Sequence, residues 1–390
     1  MKLVFVTSLV PDGHQSSGYE IANAAIIDSL RRAGVDVAVV GFLWPGRTPA
    51  DPASTTVLGA VEVRTDVAPL AMKLRWLGKS MLSGLTFSSV KLREIAPAAL
   101  RAELAALEPF DGYVLNSVTL PGAFEDCFRD KPCLFVAHNV EHRSAEENAK
   151  VAESPFQRFL YRREAALLRE LEARLCRQAR FVFTLAEEDR EALGVAADAR
   201  SATLPLVTRS PPPAAPGRRE IAFQAGLIGT WTWRPNRIGL DWFLGEVVPH
   251  LPADFSVRIA GGTPPGLSSR HSNVTFVGRV PDATAFVRSA AVIPLVSRAG
   301  SGVQLKTIET FELGLPSVAT TRSLRGIDYR PENCQVSDDP ATFARLLVEQ
   351  ARFPRDVDGR DFHRRQRDML DRRIRIGLEK IGYQSLEAVA

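Results

Sequence analysis

The chain is expected to be an α/β protein made of two Rossmann-like, doubly wound domains. Short apolar runs of strand length alternate with helical stretches from the first residues onward, the pattern of a parallel sheet covered on both faces. The alternation stops once, at TRSPPPAAPGRR (Thr208 to Arg219), and then restarts. A length of 390 residues is also long for one hydrophobic core and suits two.

In chain order, KLVFVTS is a buried first strand, and the residues from about Gly18 to Ala33 carry helical periodicity. VDVAVVG is a second strand, and GYVLN, CLFVAH and RFVFTLA are further strands. A helix rich in Leu, Arg and Glu, from about Phe156 to Gln178, separates the last two. The prolines of 208–219 suit a stiff extended linker between an N-terminal domain, 1–207, and a C-terminal domain, 220–369. Beyond the linker, EIAFQAGLIG, FSVRIAGG, VTFVG, AAVIPLV and PSVATT are strands. Helices are expected from about Asn236, over DATAFVRS, over GSGVQLKTIETFELGLP and from Asp338. A long basic helical region, about Asp356 to Leu386, closes the chain, and its part from about 370 is free to pack back on the first domain. Two such sheets would set a ligand cleft between their carboxyl ends.

Composition narrows the function classes. Hydrophobic content of 45% with 24% charge is ordinary for a globular protein, and a net charge of +4 gives no reason to expect nucleic acid. Four cysteines without a CxxC or a disulfide framework fit a reducing cytosol. The apolar run in MKLVFVTSLVPDG is too short for a signal peptide, and no apolar stretch is long enough to span a bilayer. LAMKLRWLGKSMLSGLTF (70–87) interleaves Leu70, Leu74, Leu77 and Met81 with Lys73, Arg75 and Lys79. It is expected either to pack on the N-terminal domain or to lie against anionic lipid.

Several chemistries fail on the residues. GHQSSG (Gly13 to Gly18) has the place of a phosphate-binding turn, but lacks the middle glycine of a dinucleotide fingerprint, and no acid ends the second strand. The prolines of GGTPPG suit a loop, and LGKS lacks the first P-loop glycine because Lys73 stands there. HNVEH (His138 to His142) matches the H-x-x-E-H pattern of a zinc peptidase family, which leaves a zinc hydrolase as the alternative from another class. That pattern needs both histidines on one helix face, whereas His138 ends a strand; its other use is as a neutral donor. Trp233 and Trp242 are expected to be packing anchors, and the D-x-D at Asp356 to Asp358 a helix start.

The most informative stretch is GSGVQLKTIETFELGLP. Ser301 and Gly302 suit a helix start, Gly314 and Pro316 a stop, and Leu305, Ile308, Phe311 and Leu315 share one side. Lys306 and Glu309 point away from that side. A lysine in the first turn opposes the helix dipole unless an anion arrives. The pair is either a solvated i,i+3 salt bridge or an anion site, with N–H groups and Lys306 on a phosphate and Glu309 on hydroxyls.

GTWTWRPN, VTFVGRV and GSGVQLKTIETFELGLPSVATT together resemble the C-terminal domain of the retaining GT-B glycosyltransferases, the group-1-type nucleotide-sugar transferases of bacterial polysaccharide synthesis. TSLVPDGHQSSGYEIANAAIIDSLRRAGVDVAVVG and AHNVEHR are similar to that family's N-terminal segments. The resemblance implies a GT-B architecture and transfer of a sugar from a nucleotide-diphosphate sugar to a glycan or polyprenyl-linked acceptor. It implies no metal or other cofactor, and a cytoplasmic protein that touches the inner membrane face at most peripherally. By it, Glu309 binds the ribose hydroxyls, Lys306 with the N–H groups of Val303, Gln304 and Leu305 meets the diphosphate, and Gly302 lies at the donor. The loop at Val280 takes the base, Gly229 and Thr230 lie at the donor, and Ser17 and Gly18 lie near the sugar phosphate. His138 belongs to the acceptor side. Ser301 stands where many relatives carry a sugar-contacting glutamate, and GTWTWRP offers only Arg234 where many carry an Arg and Lys pair. These departures leave a non-catalytic GT-B nucleotide-binding protein as a further alternative.

Overall fold

A computed structural model describes residues 1–13, 18–65, 67–213, 217–264 and 266–383. The chain divides into two compact units, Met1–Leu204 with the segment from Asp368, and Pro205–Arg367. Each is an all-parallel sheet of the doubly wound type.

In the first unit the strands are β1 (Lys2–Leu9), β2 (Asp36–Leu43), β3 (Thr55–Ala60), β4 (Gly112–Asn116), β5 (Cys133–Ala137), β6 (Phe181–Thr184) and β7 (Ser201–Thr203), in the order β3-β2-β1-β4-β5-β6-β7. In the second they are β8 (Phe223–Ile228), β9 (Val257–Ala260), β10 (Val274–Gly278), β11 (Ala290–Leu295), β12 (Ser317–Ala319) and β13 (Cys334–Val336), in the order β10-β9-β8-β11-β12-β13. The strand order therefore reverses between β1 and β4, and again between β8 and β11. At such a reversal the crossover helices leave to opposite faces and open a crevice at the carboxyl ends. Central strands read as continuous apolar runs because both faces are covered: every residue of β4, β5, β6 and β11 is buried.

The expected elements form close to their expected bounds, with helices at Gly18–Arg32, Pro155–Gln178, Arg234–Trp242, Ala283–Arg288, Leu305–Glu312 and Pro340–Arg352. The closing helix, Gly359–Glu379, starts in the second unit and ends in the first. There Asp371 accepts from Ser29 Oγ at 2.6 Å and pairs with Arg32 at 2.7 Å. The stretch 70–87 is not one helix. It stops at Ser83, where Gly84 takes a left-handed φ of 69°, and a separate short helix spans Phe87–Val90. Of the D-x-D, Asp356 pairs with Arg219 at 2.7 Å and Asp358 with Arg360 at 2.5 Å, just ahead of the closing helix.

One carboxylate gathers the chain near the unit boundary. Glu312, 1% exposed, accepts from the Thr208 N–H at 3.0 Å, from the Thr208 hydroxyl, and from His363 Nδ1 at 3.0 Å. Removing it would orphan two or three buried donors, each costing about 1–3 kcal/mol. Glu312→Ala should therefore destabilise the second unit by roughly 3 kcal/mol or more. Urea unfolding followed by tryptophan fluorescence should show this as a lower midpoint.

Candidate active site

Each of the two strand-order reversals holds a buried titratable side chain whose charge its surroundings disfavour. In the second unit it is Lys306. The carboxyl ends of β8 and β9 approach so closely there that a Cβ on Gly261, whose φ is 112°, would lie 1.8 Å from the Gly229 carbonyl oxygen. A Cβ on Gly229 would in turn meet Lys306 Nζ at 2.8 Å. Glycine at 229 thus clears the place that the ammonium occupies. Lys306 and Thr307 line a small cavity of about 30 Å³ with Leu227, Ile228, Asn236 and the end of β11. Trp231 forms its wall, 2% exposed, with indole N–H donated to the Ala260 carbonyl at 2.8 Å and its ring centroid 5.2 Å from Lys306 Nζ.

The helix carrying Lys306 starts later than its sequence suggests. Gly300 and Gly302 have φ of 96° and 76°, which keeps 300–302 in the loop, and the first helical residue is Leu305. Gln304 flanks it, but its side-chain Oε1 accepts from Ser297 Oγ at 2.7 Å, so no side chain caps the helix. The first-turn N–H groups remain available to a ligand. Ile308, Phe311 and Leu315 are buried, and Leu305 is half-buried.

Lys306 and Glu309 do not pair. Glu309 Oε1 instead accepts from Arg209 Nη2 at 3.2 Å, and the same Nη2 reaches Thr284 Oγ1 at 3.0 Å. Burial raises the Glu309 pKa above the usual carboxylate value, and Arg209 opposes that rise. No carboxylate pairs with Lys306 among the described residues. Burial therefore lowers its pKa from 10.5 to about 8. A shift of that size corresponds to an ammonium held at a cost of about 3 kcal/mol.

In the first unit the group is His138, directly after β5 and 8% exposed. Its Nε2 lies 2.8 Å from Asn116 Oδ1, at the end of β4. Asn116 Nδ2 donates to Asn23 Oδ1 at 2.7 Å and to Tyr19 Oη at 3.2 Å. Asn23 Nδ2 donates to Thr7 Oγ1 at 3.1 Å and to the Leu9 carbonyl at 3.5 Å. The Tyr19 ring packs on the imidazole at 4.9 Å. Burial alone pushes the His138 pKa down to about 4, so the ring is neutral near pH 7. One ring nitrogen, Nε2, is thus engaged with Asn116 inside the protein. Ser117, the next residue of the chain, has a left-handed φ of 73°, a conformation a non-glycine residue adopts only under constraint.

HNVEH is not a one-face arrangement. His142 is the second residue of helix Glu141–Lys150, and its Nδ1 meets Glu172 Oε2 at 2.5 Å. The two imidazoles thus belong to separate networks, and no group of three His, Cys, Asp or Glu side chains suited to a metal occurs among the described residues.

The other expected positions are dispersed around these two centres. Thr230 is exposed in the turn after β8, and Val280 is half-buried two residues past β10. Val303 and Ser301 are half-buried in the loop before the helix, and Gly18 opens helix Gly18–Arg32. Ser17 lies outside the described residues, as does most of GHQSSG. Trp242 packs edge-on to Phe343 as expected, but Trp233 is 55% exposed and anchors nothing; the buried anchor is Trp231. Sequence reading missed Arg209, Trp231, Tyr19 and Asn116. Only Trp231 carried a local signal, as the first tryptophan of GTWTW after a strand.

Residues 222–351 match the family model of the glycosyl transferases group 1. That match lies within the second unit. The whole chain has the GT-B fold of solved glycosyltransferases. Anabaena HepE, crystallised with UDP, aligns with a TM-score of 0.57 at 12% identity, over 97% of this chain and 100% of that one. Sucrose-phosphate synthase from Thermosynechococcus elongatus aligns at 0.59 and 14% identity, over 100% of both chains. WaaG, a glycosyltransferase involved in lipopolysaccharide biosynthesis, aligns at 0.55 and 15%, over 96% of this chain and 99% of that one. No curated protein sequence matches this chain significantly.

The unneutralised lysine has a stability signature. The unfolded chain holds the Lys306 proton up to about pH 10.5, the folded chain only to about 8, so folding is disfavoured below 8 and the penalty vanishes between the two values. Lys306→Met should be more stable than wild type by up to about 3 kcal/mol at pH 7, and the gap should shrink as pH rises from 8 toward 10. Paired denaturant titrations at pH 7 and pH 9.5 would measure this. A gap that is absent or independent of pH would mean the ammonium is not desolvated.

Proposed function

We propose that this protein transfers a sugar from a nucleoside-diphosphate sugar to a glycan or polyprenyl-linked acceptor, in synthesis of a cell-surface polysaccharide or glycoconjugate. The observation that carries the reading is Lys306: a cation without a protein anion, beside an uncapped helix N-terminus, at the strand-order reversal of a group 1 glycosyltransferase domain. A diphosphate leaving group supplies the missing anion. Charge builds on that group as the glycosidic bond breaks, and donors already in place stabilise it without reorganising. The ammonium and the backbone donors can do this without a metal, so the reaction is read as metal-independent; the resemblance to the retaining GT-B enzymes is what suggests a retaining hexosyl transfer. HepE crystallised with UDP-glucose supports a nucleotide sugar as donor.

Glu309 then takes the ribose hydroxyls through Oε2 while Arg209 holds Oε1. Charge-assisted hydrogen bonds contribute about 1.5–3 kcal/mol, so Glu309→Gln should weaken nucleotide binding roughly ten- to a hundredfold. Lys306→Ala should weaken the nucleoside diphosphate and leave the nucleoside nearly unchanged. Calorimetric titration of UDP, GDP, ADP and TDP against wild type identifies the base, and the matching nucleoside completes the test. Wild-type affinity in both variants would remove the donor site from this helix. Binding without transfer to any lipid-linked or glycan acceptor would favour a non-catalytic nucleotide-binding protein.

The same reading places the protein at the cytoplasmic face of a membrane. No helix among the described residues is long and apolar enough to cross one. Helix Leu70–Ser83 packs through Trp76, 3% exposed, and turns Leu70, Leu74 and Leu82 outward at 71%, 58% and 91% exposure. Arg163 of helix Pro155–Gln178 donates to the Ser80 carbonyl at 2.7 Å, and Phe156 and Phe159 at that helix's start are 60% and 55% exposed. Apolar side chains flanked by Lys73, Arg75 and Lys79 suit an anionic bilayer surface. Flotation with liposomes containing anionic lipid should recover the wild-type protein, and Leu74→Asp with Leu82→Asp should abolish recovery. Equal flotation with neutral lipid, or none at all, would rule out that surface.

A further inference from the structure

The polar cluster at the β1–β4 reversal is larger than a histidine and one partner. Thr7, Tyr19, Asn23, Asn116 and His138 come from β1, helix Gly18–Arg32, β4 and the end of β5, and hydrogen bonds join all five. Thr7, Asn23 and Asn116 are fully buried. Buried amides left half-satisfied are costly, so each must point the way its partners demand.

The partners run in one direction. Thr7 Oγ1 donates to the Leu9 carbonyl at 3.1 Å and so accepts from the Asn23 group 3.1 Å away, which makes that group the NH2. That turns Asn23 Oδ1 toward Asn116, whose own NH2 must then be the group facing it at 2.7 Å. Asn116 Oδ1 is left toward the imidazole, and His138 Nε2, 2.8 Å away, must carry the proton. We propose that Asn116 is a positioning residue for sugar transfer. It holds His138 in the Nε2–H tautomer and so leaves Nδ1 as an acceptor for a ligand hydroxyl.

The inference rests on the glycosyltransferase reading for its substrate and on the hydrogen-bond chain for its geometry. No partner for Nδ1 occurs among the described residues. A neutral ring presenting a lone pair binds a donor such as a sugar hydroxyl and rejects a phosphate or carboxylate oxygen. The ring's surroundings keep it neutral. Tyr19 is the titratable side chain packed on it, and no nearby charge shifts it. Of the charged residues close in sequence, Glu20 accepts from Trp44 Nε1 at 3.4 Å, Glu141 from Asn139 at 3.4 Å, and His142 is engaged with Glu172. An amide at 116 supplies an acceptor without a charge, which orients the ring and does not protonate it. A carboxylate there would do the opposite.

The test reads the ring itself. The full chain with ¹⁵N-labelled histidine is observed by long-range ¹H–¹⁵N correlation, His138→Gln assigning the signal among the six histidines. Wild type should show His138 as the neutral Nε2–H tautomer with no titration between pH 6 and 8. The opposite tautomer in wild type overturns the proposal without any further variant. In Asn116→Asp the ring should titrate inside that window and be imidazolium at pH 6, losing its acceptor. The ratio of transfer at pH 6 to transfer at pH 8 should then fall at least about tenfold below the wild-type ratio, with nucleotide affinity unchanged in both. Asn116→Leu should show mixed tautomers. An unaltered ring in Asn116→Asp overturns the relay. An altered ring with the wild-type ratio overturns the role of Asn116 in transfer. Loss of nucleotide binding by wild type would instead fault the donor reading, a result the ring spectra do not depend on.

Discussion

The second unit is organised around the buried carboxylate of Glu312. Thr208 belongs to the segment by which the chain enters that unit, and His363 to the helix by which it leaves. Both are tied to a single side chain, one turn beyond Glu309 on the helix that carries the candidate donor site. A buried carboxylate holds only where its oxygens are hydrogen-bonded, and here the exit and entry segments supply the donors. The same knot brings Arg209, the residue after Thr208, against Glu309. The position of the donor helix and the orientation of its functional carboxylate thus have one common support.

The two strand-order reversals solve opposite electrostatic problems. In the second unit the chain gathers backbone donors and a desolvated ammonium, and among the described residues pairs no carboxylate with it. Its folded state carries an unfavourable charge, the charge that the proposed diphosphate would relieve. In the first unit the chain gathers amides and hydroxyls and excludes charge, so the imidazole stays neutral and its direction is set by hydrogen bonds alone. On the proposed reading, a leaving group needs positive charge and a sugar hydroxyl needs orientation, and each centre by itself suits one of those needs.

Much of the fold was legible because central parallel strands are apolar on both faces and need no partner to be recognised. Three of the four edge strands were not: β7 and β13 have three residues each, too few for a period, and β3 leaves Val57 39% exposed. The start of the donor helix was misplaced because Ser301 and Gly302 are good starters by type, while the φ of two glycines, which decides the matter, is a property of the folded loop. Trp233 and Trp231 are two residues apart and of one type, and only packing decided which was buried.

Residue type and spacing alone determined the two α/β domains, the helix bearing Lys306 and Glu309, and the strand end bearing His138. Periodicity and glycine placement are local quantities, and they can be read along the chain. What Lys306, Glu309 and His138 do was decided by the tertiary structure. Glu309 found Arg209 one hundred positions away instead of Lys306 three away, and His138 found Asn116 twenty-two positions back. An i,i+3 spacing permits a pair, but burial and a competing donor select the partner. The charge on a lysine and the tautomer of a histidine follow from that selection, which only the folded chain makes.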